Sequence, residues 1–188
     1  MSCINFQKGL LSINPMINIK EQTENISKML AEFKANNISF EDLVASYKIS
    51  LSTVVKLSQQ PERFITTNWQ IANILFNLYE AYVYLTKRGQ SLSLTELRQS
   101  VPNKVFFIRE AENLFRLDFP LSKIAALTNI PYSTLHRYKQ KPELLKSTSW
   151  ITVYELAKLY TLVKALKHAE QQAFNEYKHK INDFIHTK

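Results

Sequence analysis

The chain has 188 residues, 45% hydrophobic and 21% charged, a balance that excludes a disordered chain and leaves room for one large domain or two small ones. With 2 glycines and 6 prolines there are few obligatory turns, and the single cysteine, Cys3, excludes an internal disulfide and a cysteine-based zinc site. The formal net charge of +8 points to an acidic partner, nucleic acid first.

No apolar run approaches the ~20 residues that cross a bilayer. No charged-then-apolar secretion signal opens the chain, so a cytoplasmic protein with no membrane partner is expected. Charge is uneven along the sequence. Residues 1–90 hold nine Lys/Arg against seven Asp/Glu, and residues 91–188 hold fifteen against nine.

In chain order, Ile26, Met29, Leu30 and Phe33 give helical spacing to a first helix at about 19–36. Short helices follow at 39–47 and 51–59 across a tight turn, and Pro61 stops the second. Thr66, Thr67 and Asn68 then cap a long helix that opens at Trp69. Residues 88–102, with Gly89, Pro102 and a Ser93-x-x-Glu96 capping box, form a joint. Beyond it the series begins again. A shift of 81 positions sets Ile49 on Ile130, Ser52 on Ser133, Thr53 on Thr134, Gln59 on Gln140, Pro61 on Pro142, Glu62 on Glu143 and Trp69 on Trp150, with no gap. The second series predicts helices at 103–117, 120–128 and 132–140, a stop at Pro142, and a terminal helix at about 150–186. No strand is expected. The fold class is therefore all-α: two tandem helical units, 1–90 and 91–188, related by an internal repeat, with a long C-terminal helix.

The stretch PLSKIAALTNIPYSTLHRYKQ has the grammar of a helix-turn-helix. Ala125 is small where two short helices must touch, and Asn129 tolerates the positive φ of the turn. Ile124, Ile130, Leu135 and Tyr138 face the core. Here the chain resembles the helix-turn-helix of lambda-type repressor and Cro proteins, over about 40 residues of each copy. The resemblance implies that the second short helix lies in the major groove. Carried onto this sequence, the DNA-binding residues are Tyr132, Ser133, Thr134, His136, Arg137, Lys139, Gln140 and Lys141. Arg suits guanine and Gln adenine, while Lys139, Lys141 and Lys146 add sequence-independent affinity. In the first copy the matching residues are Ser52, Thr53 and Lys56. There Val44 fills the small-residue slot and Lys48 the turn, and Leu51 and Val55 suit either thymine methyls or a protein contact.

Trp69 and Trp150 read as anchors of the long helices against the short ones rather than as base-stacking platforms. Phe76, Tyr79, Tyr82, Tyr84, Tyr154 and Tyr160 read as core. His168, His179 and His186 stand too far apart along one helix to share a metal. Nothing in the sequence resembles a phosphate-cradling loop or a catalytic constellation, so no enzyme activity, cofactor or metal is expected. The expected function is sequence-specific double-stranded DNA binding by a transcriptional regulator. The resemblance implies a repressor, of the kind carried by phages or plasmids. Two units in one chain act as a built-in dimer if both bind DNA, and a homodimer is expected if only the second does. A helical protein-interaction module (antitoxin, adaptor or inhibitor) on the same scaffold is the alternative.

Overall fold

The computed structural model describes residues 18–186, with side chains through His179. Cys3 lies outside the described residues, as do the side chains of Lys180, Ile181, Phe184 and His186. Among the described residues there is no strand, and the elements are all helical. The α-helices are α1 (Ile19–Ala35), α2 (Phe40–Tyr47), α3 (Leu51–Gln59), α4 (Trp69–Lys87), α5 (Leu94–Ser100), α6 (Ile108–Leu114), α7 (Leu121–Thr128), α8 (Tyr132–Gln140) and α9 (Trp150–His186). Single 3₁₀ turns follow α3 (Pro61–Thr66) and α8 (Pro142–Ser147). Among them no helix is long and apolar enough to cross a membrane.

Local chemistry explains most of these bounds. Asn18 caps α1 by accepting the Glu21 N–H, and Ile26, Met29, Leu30 and Phe33 are its buried face. Ser39 accepts the Asp42 N–H at 3.0 Å and starts α2. Lys48 ends α2 in the left-handed region (φ 54°), and Asn129 ends α7 the same way (φ 55°). Left-handed backbone costs a side chain with a Cβ roughly 1–2 kcal/mol, least for Asn, so Lys48 is the more strained of the two. Pro61 and Pro142 lack the N–H that would continue α3 and α8, and each opens a 3₁₀ turn that buries one apolar side chain, Phe64 or Leu145.

The helix that opens the second series, α6, is much shorter than the 103–117 expected. Residues 101–106 are not helical, and Phe107 precedes α6 in a left-handed conformation (φ 65°). The cause is tertiary. Two side-chain amides on α4 hold this segment by its backbone: Asn77 accepts the Lys104 N–H and donates to the Lys104 carbonyl (both 2.9 Å), and Asn73 accepts the Phe106 N–H (2.9 Å). Lys104 also pairs with Glu80 at 2.5 Å. Those bonds replace the ones a helix would have supplied.

The tryptophans do more than fix each long helix to its own short pair. The Trp69 N–H donates to the Thr148 carbonyl (2.7 Å), and the Trp150 N–H donates to the Thr67 carbonyl (2.9 Å), making an antiparallel bridge between Asn68 and Ser149. The indoles also reach away from their own segments, Trp150 to the Phe64 carbonyl (2.5 Å) and Trp69 to the Phe106 carbonyl (2.7 Å). The Trp150 ring lies 5.2 Å from Phe64 and 5.4 Å from Phe76, and none of it is exposed. α4 packs on α9 and on the second 3₁₀ turn, while α9 packs on the first. The buried side chains of both halves belong to one cluster.

Of the aromatic residues expected in the core, Phe76 and Tyr154 are buried. Tyr79, Tyr82 and Tyr160 are half-buried, and Tyr84 is exposed beneath the Arg88 guanidinium. Burial pushes the phenols of Tyr47, Tyr79 and Tyr82 up from their ordinary value. α9 belongs to the body as far as Val163, and every residue from 164 to 179 is exposed.

Candidate nucleic-acid interface

On α8 the inner face is Leu135 and Tyr138, both buried, with the Tyr138 hydroxyl 2.9 Å from that of Thr148. That anchoring turns Ser133, His136, Arg137 and Gln140 outward, at the i, i+3, i+4, i+7 spacing of a single helix face, and all four are exposed. Tyr132 (55% exposed) stacks its ring on His136, centroids 6.3 Å apart with the planes 22° from parallel. Lys139 and Lys141 are exposed at the far end, and Thr134 is half-buried. Seven of the eight residues expected on this helix and its end are therefore open to solvent. Together they offer a planar two-nitrogen donor, an amide, a stacked aromatic pair and two ammonium groups.

α3 holds the matching residues differently. Lys56 is exposed at the position equivalent to Arg137. Ser52 is exposed, with its hydroxyl 3.2 Å from Ser50 Oγ, and half-buried Thr53 brings its own hydroxyl within 2.6 Å of the same oxygen. Ser50 also accepts the Thr53 N–H, so this hydroxyl cluster is the cap of α3. No side chain caps α8, where Pro131 stands in place of Ser50. Leu51 is 36% exposed and Val55 half-buried, a more closed and more apolar surface than Tyr132 and His136 present.

The charges differ in the same sense. Residues 121–147 carry Lys123, Arg137, Lys139, Lys141 and Lys146 against Glu143, net +4. The matching residues 40–66 carry Lys48, Lys56 and Arg63 against Glu41, Asp42 and Glu62, net zero. Lys123, exposed in the first turn of α7, is a cation that inspection of the second short helix alone does not single out. Its counterpart at the 81-residue shift is Asp42, and that reversal is the signal in the sequence.

Among the described residues no group of three or more His, Cys, Asp or Glu is placed to hold a metal ion. Comparison with protein-family models, with curated proteins and with solved structures returned no match.

Proposed function

We propose that the chain is a sequence-specific double-stranded DNA-binding regulator, a repressor built from two helix-turn-helix units in one polypeptide. The observation that carries this is the outward face of α8. Arg137, Gln140, His136 and Ser133 share one exposed face, they are the residue types that read guanine, adenine and phosphate, and the unit around them is net +4. The 81-residue spacing of α2 to α7, α3 to α8 and each 3₁₀ turn to its counterpart supports reading the two units as copies of one scaffold.

The contacts at the tryptophans bear on how such units would sit on DNA. Equivalent residues exchange equivalent bonds: Trp69 with Thr148, and Trp150 with Thr67. That reciprocity is the mark of a local two-fold relation rather than a head-to-tail one. Two recognition helices related in this way would meet half-sites in inverted orientation, about one turn (~34 Å) apart. The second half-site would be strongly specified and the first weakly. The cytoplasm is the compartment this function implies.

A second reading is favoured by one observation, the partly exposed Leu51 and half-buried Val55 on α3. They suit a protein contact, with the first unit serving an adaptor, antitoxin or inhibitor role. Selection of bound sequences from a pool of random duplexes tests both. The DNA reading predicts enrichment of an imperfect inverted repeat, with specific binding at ~150 mM salt tighter than non-specific binding by ~10³ or more. Recovery of no preferred sequence, with no weakening of binding between 50 and 200 mM salt, would rule it out.

A further inference from the structure

Burial departs from the 81-residue repeat in one place. Ala81 and Leu85 of α4 are buried, at 1% and 0% exposed, while their equivalents on α9, Leu162 and Leu166, are 47% and 65% exposed. On α7, which packs against α9, Leu127 is 62% exposed, and its equivalent on α2 is Ser46.

In the first unit one short helix touches both places. α5 packs on α4, with Leu97 fully buried and Leu92 and Leu94 half-buried against the core. At its far end Arg98 Nε donates to the Ser46 hydroxyl of α2 (3.0 Å). The second unit has no such cover, because residues 175–181, which the shift sets on α5, continue α9. Exposed leucines grouped in this way mark a binding surface.

The sequence holds the pattern of α5 a second time, ahead of α1. The same shift carries Leu92, Ser93, Leu94 and Leu97 onto Leu11, Ser12, Ile13 and Met16. Pro15 falls on Glu96, whose N–H Ser93 accepts. Proline has no N–H, so the apolar spacing is repeated and the cap is not. Residues 11–16 carry no charge, which suits an apolar face. The reciprocal tryptophan bonds say which unit such a segment meets. The segment that precedes the second unit lies on the first, so under the two-fold relation the segment that precedes the first belongs on the second.

We propose that residues 11–16 of this chain cover Leu127, Leu162 and Leu166, as α5 covers the matching face of the first unit. The proposal does not depend on what α8 binds.

Disulfide trapping in the full chain tests it. With Cys3→Ser as background, Met16→Cys is combined in turn with Leu127→Cys, Leu166→Cys and, as a control, Gln140→Cys on the exposed face of α8. None of these positions is in the core, and a disulfide needs Cα atoms within about 7 Å. Under mild oxidation a disulfide within the monomer is expected with Leu127→Cys or Leu166→Cys, formed at least about tenfold faster than with Gln140→Cys. Adding Leu11→Asp and Ile13→Asp should bring that rate down to the control's. Equal rates at all three positions overturn the proposal, as does a fast rate indifferent to the two aspartates, which would reflect tethering alone. A disulfide that forms between two molecules also overturns it, and assigns the face to a second copy.

Discussion

The helix pairs α2–α3 and α7–α8 have the same lengths, a left-handed residue at the same turn position and the same proline stop, yet present different surfaces. One is neutral, with Ser39 and Ser50 capping its helices; the other is net +4, with Pro120 and Pro131 in those places and no side-chain cap. Leu51 and Val55 on the first become Tyr132 and His136 on the second. The difference teaches that the backbone of such a pair is set by a few positions: the buried apolar residues, the turn and the proline. The outward positions are then free to change. Outward positions are both kept and changed: Ser52 and Gln59 recur as Ser133 and Gln140, while Val55 and Lys56 become His136 and Arg137.

The largest effect is expected where the comparison should fail, in the core the two units share. Trp150 belongs to the second unit but rests on Phe64 and Phe76 of the first. Trp150→Ala should cost roughly 3–5 kcal/mol and lower the urea midpoint of the whole molecule in one transition. Two separate transitions, with one helix pair surviving, would mean the units are independent. Grafting the second surface onto the first comes next. Val55→His, Lys56→Arg, Ser58→Lys and Gln60→Lys together should strengthen duplex binding by at least about tenfold at ~50 mM salt and steepen its salt dependence. Unchanged binding would mean that α3 does not approach the phosphates.

Smaller effects separate the helix starts and the turns. Ser50→Ala should cost about 1 kcal/mol in chemical denaturation, because it removes the cap that α8 does without. Lys48→Gly should stabilise by roughly 0.5–1 kcal/mol, by relieving a left-handed residue with a Cβ, whereas Asn129→Gly should change little. Equal effects at the two turns would show that the strain is not specific to lysine.

Much of this architecture was legible in the sequence. The short helices are written locally by Pro61 and Pro142, by the apolar positions of each pair and by turn residues that accept positive φ. The Ser93 cap of α5 was legible for the same reason. The truncation of α6 was not, because its cause is Asn73 and Asn77, about thirty positions earlier and indistinguishable in the sequence from any other asparagines on a helix. Nor was the crossing of the tryptophans, since a buried indole and its distant carbonyl leave no periodic mark. The candidate site was legible as residue types and spacing on α8. The half-burial of Thr53 and Val55 on α3 depends on how far each side chain stands clear of its neighbours, which only the folded chain displays.

The central claim is that the second unit reads DNA and the first supports it. Its most direct test is the affinity of Arg137→Ala and of Lys56→Ala for one selected duplex and for a scrambled control, at fixed salt. Arg137→Ala should lose about 1–3 kcal/mol, roughly five- to 150-fold, on the selected duplex alone and so lose its preference. Lys56→Ala should weaken both duplexes alike, by a few-fold. The account is contradicted if Arg137→Ala keeps both affinity and preference, or if Lys56→Ala is the variant that loses them.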